Sequence, residues 1–305
     1  PDVPLFNRAV QGSYPPGSTV KPFMGMAGLE SGLMTSESTV PDPGWYRLPG
    51  SSRMYRDWTW NLRGSGHAPQ VNLKMAIAES CDVYFYDLAR RLTIDRMHEF
   101  LAPYGFGART GVDTTSERTG VLPSTAWKQQ AMAQIWYPGE TISAGIGQGY
   151  WLATPMQLAV ATGIVASKGQ RYTPRLLREI DGEPLAATRL EPLVAAASSW
   201  DAVFDGMREV VHGERGTADY LAEDITYEMA GKTGTAQVIG IAQGEKYNED
   251  EVDERHRHHG LFIAFAPLEA PTIAVAIIVE NGGGSSAAAP IARAVIDTWL
   301  AGSAG

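Results

Sequence analysis

The sequence predicts an α+β fold: an antiparallel sheet with packed helices, plus a mainly helical subdomain. Two observations carry this. Helical patterning and helix-start signals dominate the first two thirds of the chain, whereas short runs rich in β-branched and aromatic residues gather in the last third. A final apolar helical segment over 290–301 follows those runs and is available to cover the sheet. We read one domain over 1–305, with a helical and loop part over about 34–165 and a sheet-bearing part over about 166–305.

The elements follow in order. A helix is predicted from Ser18 to Leu33, with Pro22 in its first turn, where a missing N–H costs nothing. Residues 40–70, rich in Pro, Gly, Trp and Arg, read as a long irregular loop, a kind of segment that is usually functional or metal-supported. A helical pattern begins at Asn72 and continues past Ser80 through Val83–Ala89. Thr154, Pro155 and Gln157 form a capping-box start for a helix that ends near Lys168-Gly169. The Ala- and Ser-rich stretch 181–200 reads as surface loop or weak helix. Strands are predicted over Thr233–Ile239, Leu261–Ala266 and Thr272–Glu280, the last two joined by the hairpin connection Pro267–Pro271.

A net charge of −9 argues against nucleic acid or an anionic membrane surface as a main partner. With 44% apolar and 19% charged residues, the 305-residue chain can bury a core. No run reaches the roughly 18 apolar residues of a membrane span, and the start at Pro1 is not a signal peptide. The single cysteine, Cys81, forms no internal disulfide.

Three motifs carry chemistry. Ser18 and Lys21 lie one helical turn apart, a hydroxyl nucleophile with an amine as its general base. Ser80-Cys81-Asp82 supplies a hydroxyl that can relay a proton and a carboxylate that can position a substrate amide. Lys232-Thr233-Gly234-Thr235 belongs on a strand edge, where Lys232 and the two threonine hydroxyls bind a carboxylate and Gly234 leaves the backbone open. There the backbone N–H groups of Ser18 and Thr235 form an oxyanion hole. Each motif alone is ordinary: a capped helix, a helix start, a strand. Their order along one chain is the signature of serine penicillin-recognising enzymes.

These residues resemble the transpeptidase domain of class B penicillin-binding proteins, in their elongation-specific subgroup. Tyr14–Pro22, Asp42–Trp45, Tyr55–Trp58, Gly145–Trp151, Thr235–Val238 and Glu280–Gly283 extend the resemblance along nearly the whole chain. It implies a penicillin-binding fold and a D,D-transpeptidase whose Ser18 attacks the D-Ala-D-Ala carbonyl of a peptidoglycan stem peptide, with β-lactams imitating the donor. It also implies catalysis without a cofactor, a polytopic glycosyltransferase of the rod system as partner, and a periplasmic location reached through an N-terminal anchor and pedestal outside this chain. Asp82 stands where the wider superfamily has Asn, as is usual in the subgroup. The family places sheet strands before the nucleophile, and residues 1–17 contain no pair of them, so the chain reads as beginning inside the domain. The rival enzyme, a serine β-lactamase, must deacylate fast; class A enzymes use a glutamate-held water for that, and no Glu-x-x-Leu-Asn segment is present. A penicilloyl-binding sensor is the non-enzyme rival.

Asp42, Asp57, His67 and Cys81 offer two carboxylates, an imidazole and a thiol, a set that suits a structural zinc pinning the 40–70 loop. The alternative is a small buried Cys81, with Asp57 paired to a neighbouring arginine and His67 exposed. His256, His258 and His259 read as part of a solvated loop over Asn248–His259. Trp45, Trp58, Trp60, Trp136 and Trp151 read as packing residues.

Overall fold

In a computed structural model the structure describes residues 3–238 and 252–303. Helix α1 (Arg8–Gln11) precedes a single 3-10 turn at Gly17–Val20, which runs directly into α2 (Lys21–Glu30). The predicted Ser18–Leu33 helix is therefore tighter at its start and shorter at its end. Residues 40–70 are more ordered than their composition predicts. They hold β1 (Val40–Pro41), a hairpin of β2 (Trp45–Arg47) and β3 (Met54–Arg56), helix α3 (Trp58–Arg63), and β4 (Gln70–Val71), which pairs back with β1. Elements of two to six residues are too short to show a period, so the Pro, Gly and Trp content hides them.

The helix predicted to pass through Ser80 is two helices, α4 (Leu73–Ala78) and α5 (Asp82–Leu92). Ser80 adopts φ +59°, a left-handed conformation that ends the α4 ladder and turns the chain. Beyond them lie α6 (Ile94–Leu101), α7 (Thr125–Met132), α8 (Pro138–Ala144) and α9 (Pro155–Ala166). The capping box of α9 forms as predicted: the Gln157 N–H donates to Thr154 Oγ1 at 3.1 Å and the Thr154 N–H to Gln157 Oε1 at 2.9 Å.

Four two-residue strands, β5 (Arg171–Tyr172), β6 (Glu179–Ile180), β7 (Glu183–Pro184) and β8 (Arg189–Leu190), make nested hairpins. The Ala- and Ser-rich stretch then ends inside α10 (Ala197–His212), which buries Trp200, Val203, Phe204, Met207, Val210 and Val211 on one helical face. The small residues at its start concealed it.

The main sheet has three antiparallel strands, β9 (Ala230–Ala236), β10 (His259–Ala266) and β11 (Ile273–Val279), in the order β11-β10-β9. Strand β9 begins three residues before the predicted one; Ile239, its predicted end, and residues 248–251 of the acidic run lie outside the described residues. The expected solvated loop is corrected at its far end. His258 is buried, and His259 opens β10 with its ring against Tyr14 at 5.5 Å. Helix α11 (Ala289–Ser303) packs on β10 and β11, α9 packs on β11, and α10 lies between β9 on one side and α2 and α4 on the other. One buried cluster runs from Val20 to Ile296, so the Ser18 turn, the Ser80 turn and β9 are anchored to the same core. Among the described residues no helix is long and apolar enough to cross a membrane.

Candidate active site

Ser18 sits in the 3-10 turn because two glycines let three backbones meet. Gly17 adopts φ +54°, and a Cβ there would fall 2.4 Å from the Thr235 carbonyl oxygen. Gly147, at φ +71°, would place a Cβ 2.3 Å from the Gly17 carbonyl, and it accepts the Gly17 N–H at 2.9 Å. The glycine-rich turn 145–149 thus supports the Ser18 turn, which in turn rests on β9. Only residues without a side chain permit this approach.

Lys21 is fully buried and points at the Ser80 turn. Its Nζ donates to the Ser80 carbonyl at 2.7 Å, to Ser80 Oγ at 3.2 Å and to Asp82 Oδ1 at 2.6 Å. The amine is committed to these acceptors and not to the Ser18 hydroxyl, because a carboxylate is the stronger partner. The left-handed Ser80 makes this possible by presenting its carbonyl and hydroxyl together.

Asp82 opens α5, whose own N-cap residue, Cys81, makes no capping bond. Asp57 caps it from a distance: Asp57 Oδ2 accepts the N–H groups of Asp82 at 2.6 Å and Val83 at 3.3 Å. Its other oxygen accepts the Thr59 N–H at 3.1 Å and so caps α3. One carboxylate holds two helix starts.

Lys232 lies on β9, the edge strand, and is fully buried. Its Nζ donates to Thr233 O at 3.1 Å and to Thr233 Oγ1 at 3.2 Å. Burial pushes the amine well below its usual range, Lys21 adds to the shift, and Asp82 opposes it. Gly234 lines the cleft and also meets a packing constraint that the sequence did not announce. A Cβ there would lie 2.7 Å from Thr19 Cγ2 and 3.2 Å from Leu261 Cβ, so its bareness lets the Ser18 turn pack on the strand.

Ser18, Ser80, Asp82, Thr233, Gly234 and Thr235 line one cleft of about 520 Å³, with the Lys21 and Lys232 amines behind its wall. The two predicted oxyanion-hole residues, Ser18 and Thr235, both border it. Trp58 also lines the cleft and is 42% exposed, so it is not the packing residue expected; Trp151, fully buried, is. Gln148 holds the strand edge through Nε2, which donates to Thr235 O at 2.9 Å. Trp58 and Gln148 fall within stretches that carry the family resemblance, but nothing in their spacing gave either a place in the cleft.

Asp42, Asp57, His67 and Cys81 are all buried, and their ligand atoms lie within 4.8 Å of one another. His67 Nδ1 is 2.9 Å from Asp42 Oδ2, to which the Cys81 thiol also donates at 3.4 Å. Desolvation, then the Asp82 charge, pushes the Asp57 carboxyl up to about 6. Desolvation and the Asp57 and Asp42 carboxylates push the Cys81 thiol well up. Three acidic groups crowded out of water are what a divalent cation relieves, and the sulfur, imidazole and carboxylate donors fit zinc.

Comparison with known proteins follows the same lines. The profile of the penicillin binding protein transpeptidase domain matches residues 2–297. The chain belongs to this transpeptidase family. Among family members, the peptidoglycan D,D-transpeptidase MrdA of Acinetobacter baumannii is 44% identical over 304 residues, covering 98% of this chain and 44% of that protein. The protein of that name from Escherichia coli K12 is 42% identical, over 99% of this chain and 48% of its own length. The chain spans about half the length of the curated relatives it matches. A crystal structure of Pseudomonas aeruginosa PBP2 in complex with WCK 5153 superimposes with a TM-score of 0.86 at 45% identity, covering 97% of this chain and 63% of that one. PBP2 of Helicobacter pylori, in complex with MreC, gives 0.79 at 35% identity, covering 92% and 48%. The α+β penicillin-binding fold predicted from the sequence is the fold of this transpeptidase family.

Proposed function

We propose that this domain is a serine D,D-transpeptidase that cross-links peptidoglycan stem peptides during cell elongation and is acylated by β-lactams. The observation that carries the reading is the convergence of Ser18, the Lys21–Ser80–Asp82 network and the Lys232-Thr233 pair on one cleft. The relatives named MrdA and PBP2 support the same activity and its place in elongation.

The chemistry is acyl transfer in two displacements. Ser18 Oγ attacks the penultimate D-alanine carbonyl, and its proton passes to the Lys21 amine. Lys21 must be neutral at that moment, and Asp82, 2.6 Å away, is the group placed to hold the displaced proton. The Ser18 and Thr235 backbone N–H groups take the oxyanion. Lys232, Thr233 and Thr235 bind the terminal carboxylate. The C–N bond then breaks, and Ser80 relays a proton to the departing D-alanine. In the second displacement an acceptor amine forms a new C–N bond, the ester C–O bond breaks, and the proton returns to Ser18. No cofactor enters these steps.

Intact-mass spectrometry over time with benzylpenicillin, on this chain and on Ser18→Ala, tests the reading. A stable adduct on the parent chain and none on the variant is expected. An adduct that disappears while drug is consumed means hydrolysis and a β-lactamase. An equal adduct on Ser18→Ala removes Ser18 as nucleophile.

Asp42, Asp57, His67 and Cys81 form the zinc site of this proposal, with a structural role that secures the 40–70 segment against the Ser80 turn. Elemental analysis of the purified chain and of Cys81→Ser is expected to give one zinc per chain in the first and none in the second. The intact protein acts at the periplasmic face of the inner membrane, held by an anchor. It works there with a polytopic glycosyltransferase of the rod system, a reading supported by the related peptidoglycan synthase complex and by the MreC complex.

A further inference from the structure

A second cavity, of about 390 Å³, is built on the same turn as the reactive cleft. Arg53, Tyr137, Glu140, Ser143, Gly149 and Tyr150 line it, whereas Ile146 and Gln148 of that turn line the cleft that holds Ser18. The segment 143–150 therefore borders both. It is tied to the sheet as well: the Gln148 N–H donates to Ser143 O at 3.0 Å, and Gln148 Nε2 donates to Thr235 O at 2.9 Å.

The β2–β3 hairpin and α8 bring the remaining walls together. A Cβ on Gly139 would lie 2.5 Å from the Tyr55 hydroxyl, so the bare second residue of α8 lets the hairpin dock there. Arg53 is stacked on the hairpin, its guanidinium carbon 5.1 Å from the centre of the Tyr55 ring. Among the described residues it has no carboxylate partner. Glu140, the one acid in the lining, is already committed: Oε1 accepts from the buried Lys128 amine, and Oε2 accepts the Tyr137 N–H at 2.8 Å. The Lys128 amine also lies 4.9 Å from the Tyr137 ring and 5.3 Å from the Tyr150 ring, which fixes both aromatics at the cavity. The cavity thus offers an uncompensated cation between aromatic flanks, the chemistry that takes a carboxylate.

Acyl transfer in two displacements needs a second substrate, whose amine must reach the Ser18 ester while the donor acyl group fills the cleft. The donor's terminal carboxylate departs with D-alanine, so it cannot anchor that substrate. An acceptor stem peptide brings carboxylates of its own. We infer that the second cavity is the acceptor subsite: Arg53 holds a carboxylate of the incoming stem peptide, Tyr137 and Tyr150 flank it, and its amine passes the 143–150 segment to Ser18. The inference rests on the acyl-transfer reading above and gives the second substrate its site.

The test measures peptide binding with the donor cleft already occupied. The chain is acylated with benzylpenicillin, checked by intact mass, and titrated by calorimetry with the tripeptide L-Ala-γ-D-Glu-meso-diaminopimelic acid. A second titration uses the same tripeptide with amides in place of its carboxylates. The acid form binds the acylated parent, and Arg53→Gln weakens it about tenfold, the loss expected when a hydrogen bond to a charged group is removed. The amidated form binds both proteins equally weakly, and Arg53→Lys restores part of the affinity for the acid. No saturable binding of the acid form to the acylated parent, or equal affinity for Arg53→Gln, overturns the inference. Tighter binding of chitotetraose than of the tripeptide, lost in Tyr137→Ala, also overturns it by making the cavity a saccharide site. No benzylpenicillin adduct on the parent chain overturns the acyl-transfer reading itself, and intact mass separates that failure from the others.

Discussion

A side chain fully removed from water is an unfavourable place for a charge, and Lys232 is such a side chain, just behind the cleft wall. Its ordinary value lies near 10.5 and burial holds it well below that in the folded chain. Between those limits the folded chain binds fewer protons than the unfolded chain, so this residue makes stability rise with pH. Lys232→Met removes that slope, and urea unfolding of both proteins from pH 7 to 10 is expected to show it. The variant should also be the more stable at pH 7, with acylation by benzylpenicillin lost, if the residue serves the ligand as proposed and not the fold. Convergence at this scale was legible: Ser18, Lys21, Ser80, Asp82 and Lys232 were singled out from three motifs and a family resemblance, and the structure brings them to one cleft. Their contacts were not. That Lys21 bonds to Asp82 and Ser80 instead of Ser18 depends on a left-handed serine, which no periodicity announces.

Capping decides which elements could be read. The start of α9 was visible because Thr154, Pro155 and Gln157 are local to the helix they begin, whereas α5 takes its cap from Asp57, 25 positions upstream. The break at Ser80 was therefore invisible, as was α10 behind its Ala- and Ser-rich start. The two caps give a paired prediction. Thr154→Ala should cost about 1 kcal/mol and leave acylation unchanged. With chelator present, so that loss of a proposed zinc ligand does not enter, Asp57→Ala uncaps both α3 and α5 and should cost about 2–3 kcal/mol. It should also slow acylation, because Asp82 is the first residue of α5. Urea unfolding and acylation rates measured on both variants check the contrast.

For the molecule as a whole, the buried acidic cluster sets a pH signature. Without metal, the Asp57 carboxyl titrates near 6 in the folded chain against 3.8 in the unfolded one. The folded chain then holds more protons, so its contribution to stability is full below pH 3.8 and is lost as pH rises through about 6. Zinc bound as proposed would reverse the sign, because it takes the deprotonated ligands and gains affinity as they ionise. Melting temperatures between pH 4 and 6.5, with and without a chelator, should slope in opposite directions. The four ligand types were legible in the sequence. Their convergence was not, because it requires the β1–β4 pairing and the α3 turn that the loop-like composition conceals.

The double duty of Asp57 has a kinetic consequence. The amide protons of Thr59, Asp82 and Val83 share one acceptor side chain, so all three lose their acceptor together when that carboxylate swings away. The 57–59 turn and the first turn of α5 open and close as one unit. Hydrogen–deuterium exchange should show these three amides with a common protection factor. The same opening would carry Asp82 away from Lys21, so the lifetime of that closed unit limits how long the chain stays competent to react.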